Sequence, residues 1–254
     1  MHNTIRSVPI EYGCDNAPKV RDTLLLLLEV SMVWSRNPLP RLSLAVAFLL
    51  TFAILASRAQ SAPASLPAID VLAQSPADTD TDLQVICLFR SDSGIALKGA
   101  LAELDEKTHG LLTDLRRPNR FRGELGETIL LTPPAGSLKA KRLLIIGLGD
   151  PQTFTADRMR LIGAILLREA ERLGVSHPYF APTIKDGGVD RFSTGDIAVP
   201  TTQGFLEAYA TEKHLETIGA SSGKVPTQLT YLAGKQYQAS TQSGIDKAIA
   251  AAAR

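Results

Sequence analysis

Cysteine is scarce in this chain. Only two of its 254 residues are cysteine, Cys14 and Cys87. Cys14 falls in a stretch expected to be removed, so a mature chain keeps only Cys87 and no internal disulfide can form. An excess of one charge sign is also lacking, with a formal net charge of +1. That average covers two parts: six basic and four acidic residues precede Ala62, and 21 basic against 22 acidic follow from it, near −1. Such a balance provides no long-range field for nucleic acid or an anionic membrane, which argues against nucleic acid as a partner. No metal-ligand spacing occurs: H-E-x-x-H and C-x-x-C are absent, and His109, His177 and His214 have no second His or Cys three to five residues away. No metal site and no cofactor are expected. Gly219-Ala220-Ser221-Ser222-Gly223 has a superficial likeness to the G-x-S-x-G nucleophile elbow. It reads as a flexible turn between a helix and a strand, so no hydrolase triad is expected.

What is present begins with a targeting pattern. Leu42 to Ala56, LSLAVAFLLTFAILA, is 15 residues without a charge. Arg36 and Arg41 precede it, and the small residues Ala56, Ser57, Ala59, Ser61 and Ala62 surround a single Arg58 behind it. A basic start, an apolar middle and small residues at a cut site make a secretory signal, and the run is short of the about 20 residues a spanning helix needs. Cleavage near Ala59 to Ala62 is expected, with a periplasmic or secreted product that meets a membrane only transiently; an uncleaved signal anchor is the alternative. Translation from Met32 would give a signal of ordinary length; residues 1–61 are then an extension plus signal. Residues 62–81, rich in Ala, Pro, Ser, Asp and Thr, read as a flexible linker.

From there strands and helices alternate. Leu83–Phe89 reads as a buried strand holding Cys87. Ala96–Leu115 has apolar residues at helical spacing, with Gly110 as a break or kink. Glu127–Thr132 is a strand ended by Pro133-Pro134, and Arg142–Ile146 is an apolar strand of the kind found inside parallel sheets. A helix carries Met159, Ile162, Gly163, Leu166, Leu167, Ala170 and Leu173 on one face and stops at Gly174. His177–Ala181 is a strand, Gly204–Ile218 a helix, Gln228–Ala233 a strand and Ser243–Ala253 a final helix. The fold class is α/β, one domain over residues 82–254.

The order of these pieces resembles the N-terminal domain of the leucyl (cytosol) aminopeptidase family. The resemblance is carried by the opening strand 82–89, by Phe121-Arg122-Gly123-Glu124-Leu125-Gly126-Glu127-Thr128, by Lys141-Arg142-Leu143-Leu144-Ile145-Ile146-Gly147-Leu148-Gly149-Asp150 with the helix after it, and by Gly244-Ile245-Asp246-Lys247-Ala248-Ile249-Ala250. It implies a macro-domain-like fold, a mixed, largely parallel sheet flanked by helices. It also implies that the family's two-metal chemistry belongs to a second, C-terminal domain. That domain's Asn-Thr-Asp-Ala-Glu-Gly-Arg-Leu stretch does not occur in this sequence. No family catalytic residue can therefore be carried over to a position here.

Two glycine loops are weak candidates for a bound anion. Gly147 and Gly149 lie between a strand and a helix, where backbone N–H groups can cradle phosphate. The third glycine of the dinucleotide fingerprint is replaced by Gln152, and a strand-to-helix turn is the favoured reading. Gly187 and Gly188, in Lys185-Asp186-Gly187-Gly188-Val189-Asp190, could form a nest, with a β-turn favoured. Arg116, Arg117, Arg120 and Arg122 form a basic loop suited to solvent or an acidic partner. The expectation is an exported, non-catalytic binding or assembly module that pairs with a separate peptidase or self-associates. The alternatives are a metal-dependent aminopeptidase and a nucleotide or ADP-ribose binder.

Overall fold

The computed structural model of the chain describes residues 66–90, 96–117 and 120–253. The expected extension and export signal, residues 1–61, lie outside the described residues. The centre of the fold is a pair of parallel strands, β2 (Gln84–Leu88) and β4 (Leu143–Gly147), in which every residue is buried. Their sequences, QVICL and LLIIG, show no polar alternation because helices cover both faces of the sheet.

On the far side of β2 lie β5 (Tyr179–Ala181) and then β6 (Gln228–Leu232), both parallel. β1 (Ala68–Leu72) closes that edge, parallel to β6, and β3 (Thr128–Leu131) closes the other, antiparallel to β4. The order across the sheet is β1-β6-β5-β2-β4-β3. One face carries α1 (Gly99–Lys107) and α2 (Leu111–Leu115), whose Leu101, Leu104, Leu112 and Leu115 pack with Ile86, Leu88, Leu143 and Ile145. The other face carries α3 (Arg158–Arg172), α4 (Thr194–Thr217) and α5 (Gln238–Ala252). Their apolar residues meet Val85, Cys87, Leu144, Ile146, Phe180 and Tyr231. Cys87 is fully buried, and burial pushes its thiol far above the ordinary range, so it behaves as core rather than as a nucleophile.

Three expectations need correction. The stretch 62–81 is not a linker throughout, because β1 lies inside it and pairs residue for residue with β6, Ala68 opposite Gln228 to Leu72 opposite Leu232. Asp70 accepts a 2.5 Å hydrogen bond from the Thr230 hydroxyl, and Ile69 enters the core. Behind β1, Ala77, Thr79 and Thr81 are buried, and Asp78 pairs with Lys107 of α1 at 2.7 Å. The helix expected from Ala96 starts only at Gly99, and it breaks where Gly110 was expected to break or kink it, giving two helices. His109 (φ 59°) and Gly110 (φ 83°) turn left-handed between them, and Gly110 N–H caps back onto the Asp105 carbonyl at 2.7 Å.

The helix expected from Gly204 begins ten residues earlier. Ser193 caps it: its hydroxyl accepts from Asp196 N–H while the Asp196 carboxylate accepts from Ser193 N–H. Pro200 sits buried inside α4, where one backbone hydrogen bond is forfeited and burial against the sheet holds the helix together. α3 and α4 cross at very close range. Gly163 faces the Thr201 carbonyl and Gly204 faces the Arg160 carbonyl, and a side-chain carbon at either glycine would overlap the opposing backbone. Among the described residues no helix is long and apolar enough to cross a membrane.

Candidate functional site

Parallel α/β sheets bind ligands beyond the carboxyl ends of their strands, where neighbouring connections leave in opposite directions. Here that place is the boundary between β2 and β5: the chain leaves β2 toward β3 and β4, and leaves β5 toward β6. A cleft of about 280 Å³ opens one strand further along this carboxyl edge, over β5 and β6. Its floor is the ends of β5 and β6, Ala181 and Tyr231-Leu232, and its walls are the first turns of α1 and α4, the 182–186 loop and the turn before α5. Two broader hollows, about 390 Å³ beside Glu171 and Glu212 and about 600 Å³ beside Asp78 and His109, are open surface dishes. They lack the aromatic walls that make a ligand site.

The cleft's aromatic side is rigid. Tyr231 is fully buried, packs edge-on against Phe180 at 5.5 Å, and its hydroxyl bonds the Thr202 hydroxyl at 2.9 Å. Burial raises the Tyr231 phenol above its ordinary range, so it stays protonated as part of the wall. Phe192 stacks edge-on with Phe154 at 5.7 Å, and Phe154 with Phe89 at 5.2 Å. Arg191 lies 5.0 Å over the Phe192 ring while donating to the Pro151 and Phe154 carbonyls at 3.1 and 2.5 Å, which fixes the loop ahead of α4.

The loop after β5 carries the polar groups. Thr183 has φ 53°, a conformation that a β-branched residue adopts under strain. Its hydroxyl donates to the Cys87 carbonyl at 2.6 Å and accepts from Cys87 N–H at 3.1 Å, so a side chain continues the β2–β5 pairing after the strand itself has turned away. Lys185 lies 5.7 Å over the Tyr237 ring and donates to the Asp190 carbonyl at 3.3 Å. Asp186 is partly buried, which raises its pKa above the usual carboxylate range; the Ala100 N–H that it accepts at the start of α1 offsets part of that shift. The Asp186 carboxylate thus occupies the positive end of α1.

The four candidate glycines are fold positions. Gly147 N–H donates to Glu127 O at 2.7 Å, Leu148 N–H to Leu88 O at 2.9 Å and Gly149 N–H to Gly123 O at 2.8 Å. These three amides are thus already engaged and not left to hold a phosphate. Gly147 is glycine because the 123–124 backbone lies against its Cα, and Gly149 because its φ is 76°. In the second loop Gly187 N–H donates to Thr183 O, Gly188 N–H to Lys185 O and Val189 N–H to Ile184 O. Gly187 is pressed against the Phe89 ring. None of the four lines the cleft.

The three histidines among the described residues are apart. His109 sits in the α1–α2 turn, His214 in the last turn of α4, and His177 bonds the Thr230 hydroxyl at 2.8 Å and lies against Tyr179 at 4.5 Å. Partial burial lowers the His177 pKa, against the pull of Asp70. Among the described residues no three His, Cys, Asp or Glu side chains converge as a metal-holding group. Arg117 and Arg120 of the basic loop both pair with Asp114. Sequence reasoning named the loop 185–190 for its glycines and missed the cleft's own Thr183, Phe192 and Tyr237. The signal available was position: 182–186 directly follows an apolar strand.

Residues 85–199 match the N-terminal domain of the cytosol aminopeptidase family. The matched segment, a little under half of the chain, is similar to that domain. Curated relatives include a probable cytosol aminopeptidase of Cyanothece sp., 29% identical over 115 residues, which are 43% of this chain and 23% of that protein. Another, from Thermosynechococcus vestitus, is 31% identical over 107 residues, 40% of this chain and 21% of the relative. The aligned part thus spans less than a quarter of the relatives' length. Among solved structures, an Oceanobacillus iheyensis macrodomain mutant with ADPR superposes with a TM-score of 0.53 at 12% identity, covering 72% of this chain and 94% of that one. This likeness shows the fold, a macrodomain-like mixed α/β sheet with flanking helices.

Proposed function

We propose that this aminopeptidase-type N-terminal domain is a non-catalytic binding or assembly module that works beside a peptidase rather than as one. The supporting observation is the kind of site it offers. The cleft has a strained loop, fixed aromatic walls and one charge of each sign. The resemblance places the family's metal chemistry in a different, C-terminal domain. The purified protein is expected to show no hydrolysis of an aminoacyl anilide above buffer, with or without added manganese or zinc. Metal-dependent turnover that a chelator abolishes would replace this reading with the metallo-aminopeptidase suggested by the relatives' names.

The proposal extends to location. The basic pair Arg36 and Arg41, the apolar run 42–56 and the small residues after it support export. N-terminal sequencing of the protein recovered from a bacterial periplasm is expected to start between residues 60 and 63. Recovery of an uncut chain in the cytosol would refute export.

A further inference from the structure

The chemistry of the cleft narrows what it can hold. A phosphate or pyrophosphate needs free backbone N–H groups and an excess of positive charge. Neither is present. The Ala100 amide at the head of α1 is taken by Asp186. At the head of α4, the Asp196 amide is taken by Ser193 and the Gly195 amide by the Ser240 hydroxyl. Along the loop after β5 the amides of Gly187, Gly188 and Val189 fold back on Thr183, Lys185 and Ile184. The cationic side chain lining the cleft is Lys185, and Asp186 and Asp190 lie beside it in the same loop, so a dianion would meet more negative charge than positive.

A ligand with one positive and one negative group and an apolar body suits these surroundings. Lys185 offers an ammonium to a carboxylate, and the Asp186 carboxylate is available to an ammonium. Phe192, Ile197 and Tyr231 supply the apolar wall. At about 280 Å³ the cleft lies at the small end of ligand pockets, the size for one residue rather than a peptide. We propose that the cleft between the ends of β5 and β6 and the first turns of α1 and α4 binds a free apolar α-amino acid, with Lys185 at its carboxylate and Asp186 at its ammonium. This rests on the binding-module reading and gives that module a small ligand. Hydrolysis of an amide at a peptide's N-terminus is the class of reaction that supplies such a molecule.

Calorimetric titration of the full-length protein with L-leucine tests the proposal, alongside leucinamide, which lacks the carboxylate, 4-methylpentanoate, which lacks the ammonium, and ADP-ribose. Saturable binding of leucine is expected, weaker by about tenfold or more for each truncated analogue, as befits loss of a charge-assisted contact. Lys185→Met should weaken leucine by a similar factor and leave leucinamide unchanged. Asp186→Asn keeps an oxygen for the Ala100 amide, so the helix start survives, and it should weaken leucine while leaving 4-methylpentanoate unchanged. Absence of saturation by about 10 mM leucine, equal affinity for leucinamide, or tighter binding of ADP-ribose would each overturn the proposal. The two readings fail separately: anilide turnover sinks the non-catalytic module whatever the titration shows, and a catalytically silent protein that ignores leucine sinks only this ligand.

Discussion

Gly204→Ala is expected to lower stability by about 3 kcal/mol or more, one of the largest losses available from adding a single methyl group. In an ordinary helix interior the same change would stabilise by about 1 kcal/mol, since glycine is a poor helix former. Here the methyl would enter the Arg160 carbonyl of α3, and the matching glycine, Gly163, already meets the Thr201 carbonyl of α4. A backbone carbonyl cannot rotate aside as a side chain can. The two helices would have to separate, and the core beneath them, Ile162, Leu166 and Phe205, would loosen with them. The ion pairs that also cross this contact, Arg160 with Glu207 and Arg168 with Glu212, each hold a half-exposed arginine and contribute too little to compensate. For a domain of this size the melting temperature should fall by roughly 6 to 12 °C. An unchanged melting temperature would mean that α3 and α4 do not touch backbone to backbone.

Thr183→Val should cost about 3 kcal/mol, although the two side chains have nearly the same shape. The substitution leaves the Cys87 N–H and C=O buried without the hydroxyl that serves both, and keeps a β-branched residue at φ 53°. Thr183→Ser retains the hydroxyl and should stay near the parent. Urea unfolding checks this through the midpoint, with the slope unchanged. Equal midpoints for threonine and valine would mean that the hydroxyl bridge does not hold β2 to the loop. The same loop shapes the cleft, so Thr183→Val should also weaken whatever ligand the cleft takes.

The elements legible in the sequence are those stabilised by their own pattern. β2 and β4 announce themselves as apolar runs, and α3 shows its buried face residue by residue, from Met159 to Ala170. The macrodomain-like order of the pieces follows from them. The elements that escaped depend on distant partners. β1 has an unremarkable composition and is a strand because Asp70 and its backbone meet β6 at a separation of 160 residues. The first ten residues of α4 contain Pro200, which reads as a helix stop until burial against the sheet outweighs the lost hydrogen bond. The cleft was illegible for a similar reason. Its residues come from separate segments, none with a motif, and they meet only when the strand ends align. The glycines drew notice because phosphate loops use glycine, yet here the backbone amides around them are spent on the fold itself.

The pairing of β1 with β6 also sets an order of assembly. Synthesis is vectorial, and β1 is the first strand of the described domain to be made, while its one neighbour in the sheet is the last. Until Leu232 has been synthesised, residues 68–72 have no strand to lie against. A nascent chain can assemble β2, β4 and their helices early, but its leading end stays extended to the finish. Whatever precedes residue 66 is therefore joined to a segment that remains unfolded through most of translation, the condition in which a polypeptide can still be handed to another machine before it closes.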